Sequence, residues 1–292
     1  TNRMKIMNSA AVILNIFFGN KVPPPLVPKG FFLPVTPGTK FITVGGALAS
    51  DIHGKNHHID GVFSDHVLSF KLINQEGDII TVDRNDDLFI QTAGGMGTTG
   101  IIIEITFSLK KIETSFIVQK SIRASNLQEI FHLFEKYKNT TYSVAWIDCL
   151  ATGNDIGKSI LLLGEHANGD EVSFKNKLST HKKPFLNVPF NFPNWILNPI
   201  SIKAFNYLFY NKPSSSSETI MHYDPYFYPL DKINNWNRIY GKRGFIQYQF
   251  VLPIANSYDG VKEILGILSQ HKLGSFLAVL KLFGKSHEDK YL

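Results

Sequence analysis

The chain has 292 residues, of which 43% are hydrophobic and 18% are charged, so an intrinsically disordered chain is excluded and one or two folded domains are expected. The net charge is +6, but lysine and arginine are scattered along the chain, so we predict an anionic ligand and no nucleic acid. The single cysteine, Cys149, cannot form an internal disulfide, which agrees with a cytoplasmic location.

An early apolar stretch covers residues 10–19. It is too short to span a bilayer, and Asn15 interrupts it. It could also be the hydrophobic part of a signal peptide, because Arg3 and Lys5 precede it, but no small-residue cleavage pattern follows. We therefore favour a cytoplasmic chain over a secreted one.

The region from Phe41 to Leu109 is predicted to be rich in strands. Short β-branched runs alternate with Gly and Asp, and residues 67–83 predict two strands joined by a turn at 76–78. Serines dominate residues 212–219 much later in the chain, which predicts a mobile loop there.

After about Ile112 the order strand, helix, strand occurs twice. The first helix, 125–139, begins with a Ser-x-x-Gln capping pattern and lies between strand-like residues 115–122 and 142–150. The second set is predicted as a strand over 244–253, a helix over 257–274 ending on a glycine cap, and a strand over 275–284. Two such units indicate an α+β domain with helices covering one face of a sheet.

The segment GGALASDIHGKNHH, residues 45–58, concentrates glycines and histidines. His53 and His57 have the spacing with which a helix presents two imidazoles to zinc. Gly54 weakens that helix, and the segment lacks the glutamate with which a zinc hydrolase activates water. We therefore predict no metal site and keep a polar loop or a cofactor-facing loop as the alternatives.

The segment GMGTTG, residues 95–100, matches the G-x-G-x-x-G pattern of dinucleotide-binding proteins. In that motif a helix follows the glycines, whereas a β-branched strand is predicted here, and Lys120 stands where an acidic residue is expected. The motif therefore predicts a glycine-rich turn close to another strand or a flat ligand. Gly38, Gly45 and Gly46 repeat this feature, so a cofactor bound largely through the backbone is consistent with both loops.

Three features of the second half could serve a ligand or simply pack. Gln247 and Gln249 alternate along a predicted strand, so they face either sugar hydroxyls or solvent together. Lys281 interrupts an apolar strand, where it either serves an anionic group such as a phosphate or protects an exposed edge. The aromatic run 222–230 either lines a lipid or sugar cleft or belongs to the core.

Two long motifs, LVPKGFFLPVTPGTKFITVGGALASDIHGKNHH and DLFIQTAGGMGTTGII, resemble the flavin domain of the vanillyl-alcohol-oxidase superfamily. They are most similar to the decaprenylphosphoryl-β-D-ribose 2′-oxidase family, and FPNW, YPLDKINNWNRIYG, GFIQYQFVLP and SFLAVLKLFG extend the resemblance over about 26–284. The implied α+β fold is a partial PCMH-type FAD-binding domain, residues 1–112. A substrate or cap domain with a largely antiparallel sheet, residues 113–292, follows it.

The resemblance implies FAD-dependent oxidation of a secondary alcohol of a sugar to a keto sugar, as the flavoprotein half of an arabinose-forming epimerase in cell-wall arabinan synthesis. The substrate would be a sugar phosphate or a polyprenyl-phosphate sugar, with a short-chain reductase as partner and peripheral contact with the membrane surface. FAD would contact Gly38, Thr43, Val44, Gly45, Gly46, Ser50, Asp51, Ile52, His53 and Ile102. The substrate pocket would contain His53, Lys55, Gln249 and Lys281.

The sequence also departs from the family. Phe227 stands where a tyrosine is expected, and no glycine loop for the pyrophosphate precedes the matching region. The segment that carries the family's base lysine would lie beyond Leu292. We therefore expect a fragment with weak or no turnover alone. The alternatives are a sugar-lactone oxidase with the same flavin loops, and a non-catalytic module that binds a sugar phosphate or a partner protein.

Overall fold

The computed structural model describes residues 5–6, 11–15, 26–173, 175–180, 186–213 and 216–284. A five-stranded sheet forms the first half, in the order β1-β2-β6-β4-β5, and all of its neighbouring strands are antiparallel. A short antiparallel pair, β3 with β7, lies beside it. The strands are Lys5–Ile6 (β1), Ala11–Asn15 (β2), Phe31–Phe32 (β3), Val67–Ile73 (β4), Ile79–Asp83 (β5), Ile101–Ser108 (β6) and Lys110–Lys111 (β7).

The hairpin of β4 and β5 confirms the two strands predicted over 67–83. Its turn is closed by the amide of Asn74, which donates to the carbonyl of Asp78 at 3.0 Å. Gly77 lies in the turn with a φ of +88°, a conformation that glycine adopts without steric cost. The strand β6 likewise confirms the prediction that a strand, and not the helix of a dinucleotide-binding motif, follows GMGTTG.

The first half also contains three short helices, Val44–Ala49 (α1), His57–Asp60 (α2) and Asp87–Thr92 (α3), of which α1 and α3 pack against the sheet. The cap of α1 is Thr43, whose side chain accepts a hydrogen bond from the amide of Gly46 at 3.0 Å. Val44, Ala47 and Leu48 then point into the core beneath the sheet. This packing fixes the position of the glycine and histidine segment that follows.

A second five-stranded sheet, in the order β12-β8-β10-β9-β14, forms the other half, again with antiparallel neighbours only. Both main sheets therefore confirm the α+β class with largely antiparallel sheets. The remaining strands are Phe116–Ala124 (β8), Tyr142–Ile147 (β9), Ser159–His166 (β10), Leu186–Asn187 (β11), Ser216–His222 (β12), Ile233–Asn234 (β13) and Val279–Leu280 (β14), of which β11 and β13 form a parallel pair. The helices are Leu127–Lys136 (α4), Pro199–Asn211 (α5), Tyr223–Phe227 (α6) and Ile254–Gln270 (α7). Single 3-10 turns occur at Val27–Lys29, Phe63–His66, Gly153–Asp155, Pro229–Lys232 and Trp236–Tyr240.

The helix predicted over 125–139 is present as α4, but its cap differs from the predicted Ser-x-x-Gln box. The N-cap is Asn126, whose side chain accepts from the amide of Glu129. The side chain of Glu129 in turn accepts from the amide and the hydroxyl of Ser125. The box is thus shifted by one residue, because asparagine is as good an N-cap as serine.

The expected mobile loop over 212–219 is wrong for its second half. Ser216–His222 is a strand that pairs in register with β8, from Ser216 opposite Ile122 to His222 opposite Phe116. Serine and threonine can form an edge strand because the hydrogen bonds between strands use backbone groups only. Residues 214 and 215 lie outside the described part of the chain.

The strands predicted over 244–253 and 275–284 are largely wrong. Residues 244–253 are irregular, and of 275–284 only Val279–Leu280 pairs, with β9. A β-rich sequence becomes a strand only where a neighbour accepts and donates its hydrogen bonds, and none is present along 244–253 in the described residues. The helix expected over 257–274 begins earlier, at Ile254, and ends at Gln270 without the predicted glycine cap.

The two halves meet across a shared apolar cluster. Val27, Phe32 and Ile112 from the first half pack with Ile117, Tyr142 and the aromatic run 223–228 from the second. Each half also has its own core, around Phe70 and Phe107 in one and around Ile130 and Leu161 in the other. Among the helices in the described ranges, none combines the length and apolar character needed to cross a bilayer.

Candidate functional site

The two predicted glycine-rich segments lie against each other. The amide of Gly94 donates to the carbonyl of Leu48 at 3.1 Å, and the amide of Met96 donates to the carbonyl of Ala49 at 2.8 Å. These bonds attach the loop before β6 to the end of α1, directly before the histidine segment. No local pattern predicts this pairing, because the two segments are separated by nearly fifty residues.

The glycines of these loops divide into two groups. Gly95 and Gly100 are needed for packing, because a Cβ would lie 2.1 Å from the carbonyl oxygen of Gln91 and 2.4 Å from that of Ile73, respectively. Gly38 and Gly97 are exposed, and beyond the adjoining residues of the chain no atom of the described residues lies within 4 Å of a Cβ built on either. The second group leaves backbone accessible from outside, as a flat ligand held by amide groups requires.

The predicted FAD contacts lie on or beside this exposed backbone. Four of them are exposed, whereas the side chain of Val44 is buried in the core and leaves only its backbone for a ligand. The side chain of Asp51 accepts from the amide of Ser64 at 2.9 Å, so it also holds the loop in place. The exposed four are Gly38, Thr43, Gly46 and Ser50, and the half-buried ones are Gly45, Asp51, Ile52, His53 and Ile102. The residues present therefore fit a cofactor bound through backbone and hydroxyl groups, although the contacts themselves remain predictions.

Three of the four predicted pocket residues meet at His53. The Nε2 atom of His53 lies 3.2 Å from the side-chain nitrogen of Gln249, and its Nδ1 atom lies 3.5 Å from the Nζ atom of Lys281. His53 belongs to the first half of the chain, whereas Gln249 and Lys281 follow it by 196 and 228 residues in the second half. The structure thus brings together His53, Gln249 and Lys281, which the resemblance had placed in one pocket.

The hydrogen-bond partners of His53 show which of its ring nitrogens carries the proton. A lysine ammonium only donates, so Nδ1 is the acceptor, and Nε2 of the neutral ring then carries the proton and needs an acceptor. Rotation of the Gln249 amide turns its oxygen toward that N–H. Burial, followed by the charge of Lys281, lowers the pKa of His53 to about 4, which keeps the ring neutral at pH 7.

Lys55 lies close enough to Lys281 to feel its charge, and it contacts Tyr226 twice. Its Nζ atom donates to the carbonyl of Tyr226 and lies 4.0 Å from the centre of that ring. Burial, followed by the charge of Lys281, lowers the pKa of Lys55 to about 7. Burial also lowers the pKa of Lys281. Neither lysine has an ion pair among the described residues, so this small region concentrates positive charge that an anion would neutralise.

Sequence reasoning missed two neighbours of the cluster, His57 and Phe283. Their rings stack at 4.1 Å, and Phe283 also contacts the ring of His53 edge-on at 4.8 Å. The available signal was alternation, since Phe283 lies two residues after Lys281 in extended chain and so shares its face. His57 then accepts a hydrogen bond from the amide of Gly284 at 3.1 Å, which anchors the end of this segment.

The packing of the other predicted site residues shows whether they belong to the core or to the surface. The aromatic run belongs to the core, because Tyr223, Tyr226, Phe227 and Tyr228 are all buried. Phe227, in place of the family's tyrosine, packs against Phe32 and Tyr142. Gln247 is exposed and has no described contact with the cluster at His53. A cleft of about 590 Å³ is lined by other residues, among them Asn191, Gly241 and Lys242.

Comparison with known proteins identifies the class. The family described as "FAD binding domain" matches residues 19–83, which include the segment from Gly38 to Lys55. This match confirms FAD as the predicted cofactor. The family match and the glycine loops beside α1 together therefore define an FAD-binding protein.

The particular relationship follows from two similar proteins. Decaprenylphosphoryl-beta-D-ribose oxidase of Mycolicibacterium smegmatis is 33% identical over 298 aligned residues, covering 98% of this chain and 65% of that protein. An uncharacterized protein in the mprA 5′ region of Streptomyces coelicolor is 39% identical over 143 residues, covering 49% of this chain and 39% of that protein. The predicted family resemblance is confirmed, over a longer stretch than 26–284. The chain spans less than two thirds of the length of either relative.

Proposed function

We propose that this chain takes part in the FAD-dependent oxidation of a secondary alcohol of a sugar carried on a polyprenyl phosphate. The observation that carries the proposal is the convergence of His53, Gln249 and Lys281 next to the glycine loops. The FAD binding domain match supports the cofactor, and the similarity to decaprenylphosphoryl-beta-D-ribose oxidase supports the substrate class.

The bound flavin would supply the hydride acceptor, and the chain's own residues would bind and orient the sugar. His53 and Gln249 offer neutral hydrogen-bonding groups suited to hydroxyls. Lys55 and Lys281 supply positive charge in partly desolvated positions, where an electrostatic contact with phosphate is stronger than in water. Hydride transfer requires the alcohol carbon to be held close to the flavin, so orientation by these groups is their main contribution.

The partner and the location follow as further parts of the proposal. A keto sugar leaving this site must be reduced to complete an epimerisation, so we propose a short-chain reductase as the functional partner. A cytoplasmic chain at the membrane surface accords with a substrate whose polyprenyl tail is held in a bilayer.

The test is anaerobic reduction of the FAD-loaded chain, followed as loss of the oxidised flavin absorbance. We expect a decaprenylphosphoryl ribose analogue to reduce the flavin faster than a sugar lactone does. Lys281→Gln is expected to raise the half-saturating analogue concentration about tenfold or more, because a charge-assisted hydrogen bond is lost. Lys136→Gln, on the exposed side of α4, is the matched control and is expected to change nothing.

Each other outcome contradicts the proposal in a distinct way. Reduction by the lactone alone would identify a sugar-lactone oxidase. Binding of the analogue by colourless protein would identify a non-catalytic module. An equal effect of Lys281→Gln and Lys136→Gln would remove Lys281 from the pocket.

A further inference from the structure

The segment that carries Lys281 runs past the end of the second sheet. Among the described residues, the pairing of β14 with β9 ends at Leu280. Before that point the chain is also held by Trp146, whose indole N–H donates to the carbonyl of Phe276 at 3.0 Å. Residues 281–284 continue beyond these contacts, and Lys281 is the first of them. Its position must therefore be set by other groups.

The side chains of this segment alternate between two surroundings. Leu282 packs against the core of the second half. Lys281 and Phe283 turn instead to the histidines of the first half, with the Nζ atom of Lys281 3.5 Å from the Nδ1 atom of His53. Phe283 stacks on the ring of His57 at 4.1 Å, with 14° between the two planes. Extended chain produces this alternation, so the contact at Phe283 also determines where Lys281 points.

Gly284, the end of the segment, lies against the backbone of α2. Its amide donates to the Nδ1 atom of His57 at 3.1 Å. A Cβ at this position would lie 3.0 Å from the Cα atom of His58 and 3.1 Å from the carbonyl oxygen of His57, so a side chain would crowd the helix. His57 therefore holds the segment twice, through its ring and through its Nδ1 atom.

The helix α2 is itself fixed to both halves of the chain. Its N-cap residue, Asn56, is buried and donates through its side chain to the carbonyl of Pro34 at 2.8 Å. The Nε2 atom of His58 lies 2.9 Å from the carbonyl oxygen of Thr140, directly before β9. The imidazole of His57 thus stands on a support with contacts on both sides of the proposed site.

The bond to Gly284 requires an unprotonated Nδ1 atom on His57. A backbone amide only donates, so the neutral ring carries its proton on Nε2. Burial lowers the pKa of His57, which keeps the ring neutral at pH 7. Two carboxylates raise this pKa and two basic groups lower it: Asp65 and Asp51, and His58 and Lys281.

We propose that His57 is a positioning residue for Lys281. By holding Phe283 and Gly284, it places the ammonium group of Lys281 beside His53, where the anionic group of a substrate would bind. His57 belongs to the region that matches the FAD binding domain, whereas Lys281 belongs to the second half, so this contact sets the substrate group relative to the cofactor part. The nature of the anion rests on the proposed function, but the contact can be tested without flavin.

The test compares two replacements that each keep one property of the imidazole. His57→Phe keeps a ring against Phe283 and removes the acceptor for Gly284, whereas His57→Asn keeps an acceptor and removes the ring. In the FAD-loaded chain, we expect His57→Phe to raise the half-saturating concentration of a decaprenylphosphoryl ribose analogue about fivefold, because a hydrogen bond is lost. The limiting rate of flavin reduction should change less than about twofold. His57→Asn should raise the half-saturating concentration only about twofold.

A double variant separates positioning from an independent effect. Because His57 acts through Lys281, adding His57→Phe to Lys281→Gln should weaken binding of the analogue no further. Multiplied effects would overturn the proposal, as would a loss of limiting rate with unchanged half-saturation. The matched control is Ile59→Ala, which shortens a side chain of α2 that is 50% exposed and should change neither quantity.

Hydrogen exchange of the Gly284 amide, followed by NMR in the flavin-free chain, does not depend on the reaction. We expect the amide to be protected in the unchanged chain and in His57→Asn, and to exchange about fivefold faster or more in His57→Phe at pH 7. Equal exchange in all three proteins would overturn the proposal. If the analogue fails to reduce the flavin even in the unchanged chain, the oxidation proposal fails, and this exchange measurement still decides whether His57 holds the segment.

Discussion

Among single residues, the candidate site is defined by basic groups that lower one another's pKa. Lys281 lies 3.5 Å from His53, and its charge contributes to the lowered pKa of both His53 and Lys55. Burial is the larger cause for each, so at neutral pH the imidazole is neutral and Lys55 is partly protonated, and a bound anion would favour the charged form of the lysine. Such groups bind hydroxyls and anions without first having to break ion pairs.

The variant Lys281→Gln tests this electrostatic coupling. We expect the pKa of His53 to rise from about 4 while remaining below 6.5, because the charge is removed and the burial is not. Titration of the histidine rings by NMR measures it. Lys110→Gln is the control, because Lys110 lowers the pKa of His166 instead. A pKa of His53 that is unchanged in Lys281→Gln would contradict the assigned contact.

The buried ring of His166 makes the free energy of unfolding depend on pH. Its ring lies among Phe32, Tyr142 and Phe227, and burial, followed by the charge of Lys110, lowers its pKa to about 3. As the pH falls, the unfolded chain takes up the proton first, near 6.5. The stabilisation is therefore complete above pH 6.5 and is lost between 6.5 and about 3.

The variant His166→Phe removes this titration while keeping a ring among its aromatic neighbours. We expect its unfolding temperature to fall less than that of the unchanged chain between pH 6.5 and about 3, and to be similar at pH 7. The exposed His132 offers the control variant His132→Gln, which should follow the unchanged chain. Parallel curves for all three proteins would show that His166 does not set the acid sensitivity.

At the scale of elements, local sequence signals predicted those parts that local interactions determine. The hairpin of β4 and β5, strand β6 and helix α4 have their own turns and caps, and all three were predicted. Residues 244–253 have strand composition but no pairing neighbour among the described residues, which no local pattern reveals. The meeting of His53 with Gln249 and Lys281 was likewise implied only by family resemblance, because it depends on the packing of two domains.

The glycine loop before β6 gives a prediction at this scale. Gly100 has a φ of +149°, and a Cβ there would lie 2.4 Å from both the carbonyl oxygen of Ile73 and a methyl group of Leu72. We expect Gly100→Ala to lower the free energy of unfolding by about 3 kcal/mol or more. Gly97→Ala, with a φ of +80° and open space around it, should cost only about 1 kcal/mol. Urea denaturation measures both, and equal losses would contradict the division into packing and exposed glycines.

At the scale of the whole molecule, one loop connects the proposed cofactor face to the second half. Lys40 pairs with Asp224 at 2.6 Å, and the amide of Lys40 and the hydroxyl of Thr39 both donate to Asp231. These contacts lie directly beside Gly38, the first of the predicted FAD contacts. The relative placement of cofactor and substrate groups therefore depends on this junction.

Removing one partner of the Lys40–Asp224 pair should lower the free energy of unfolding more than removing both partners does. In Lys40→Met the carboxylate of Asp224 is left buried and unpaired, so we expect a loss of about 3 kcal/mol in the free energy of unfolding. The double variant Lys40→Met, Asp224→Asn should lose less, because no isolated charge remains. Lys138→Met, which breaks an exposed pair with Glu135, is the control and should change little. A double variant as unstable as the sum of its single variants would show that the pair is not coupled.

If the glycine and histidine segments of this chain form an FAD site, one absorbance spectrum will show it. The purified chain is incubated with FAD, desalted and scanned for the visible bands of bound flavin. The structure and the family match predict that the bands remain with the protein. A colourless protein after desalting would contradict the claim that this chain holds the cofactor.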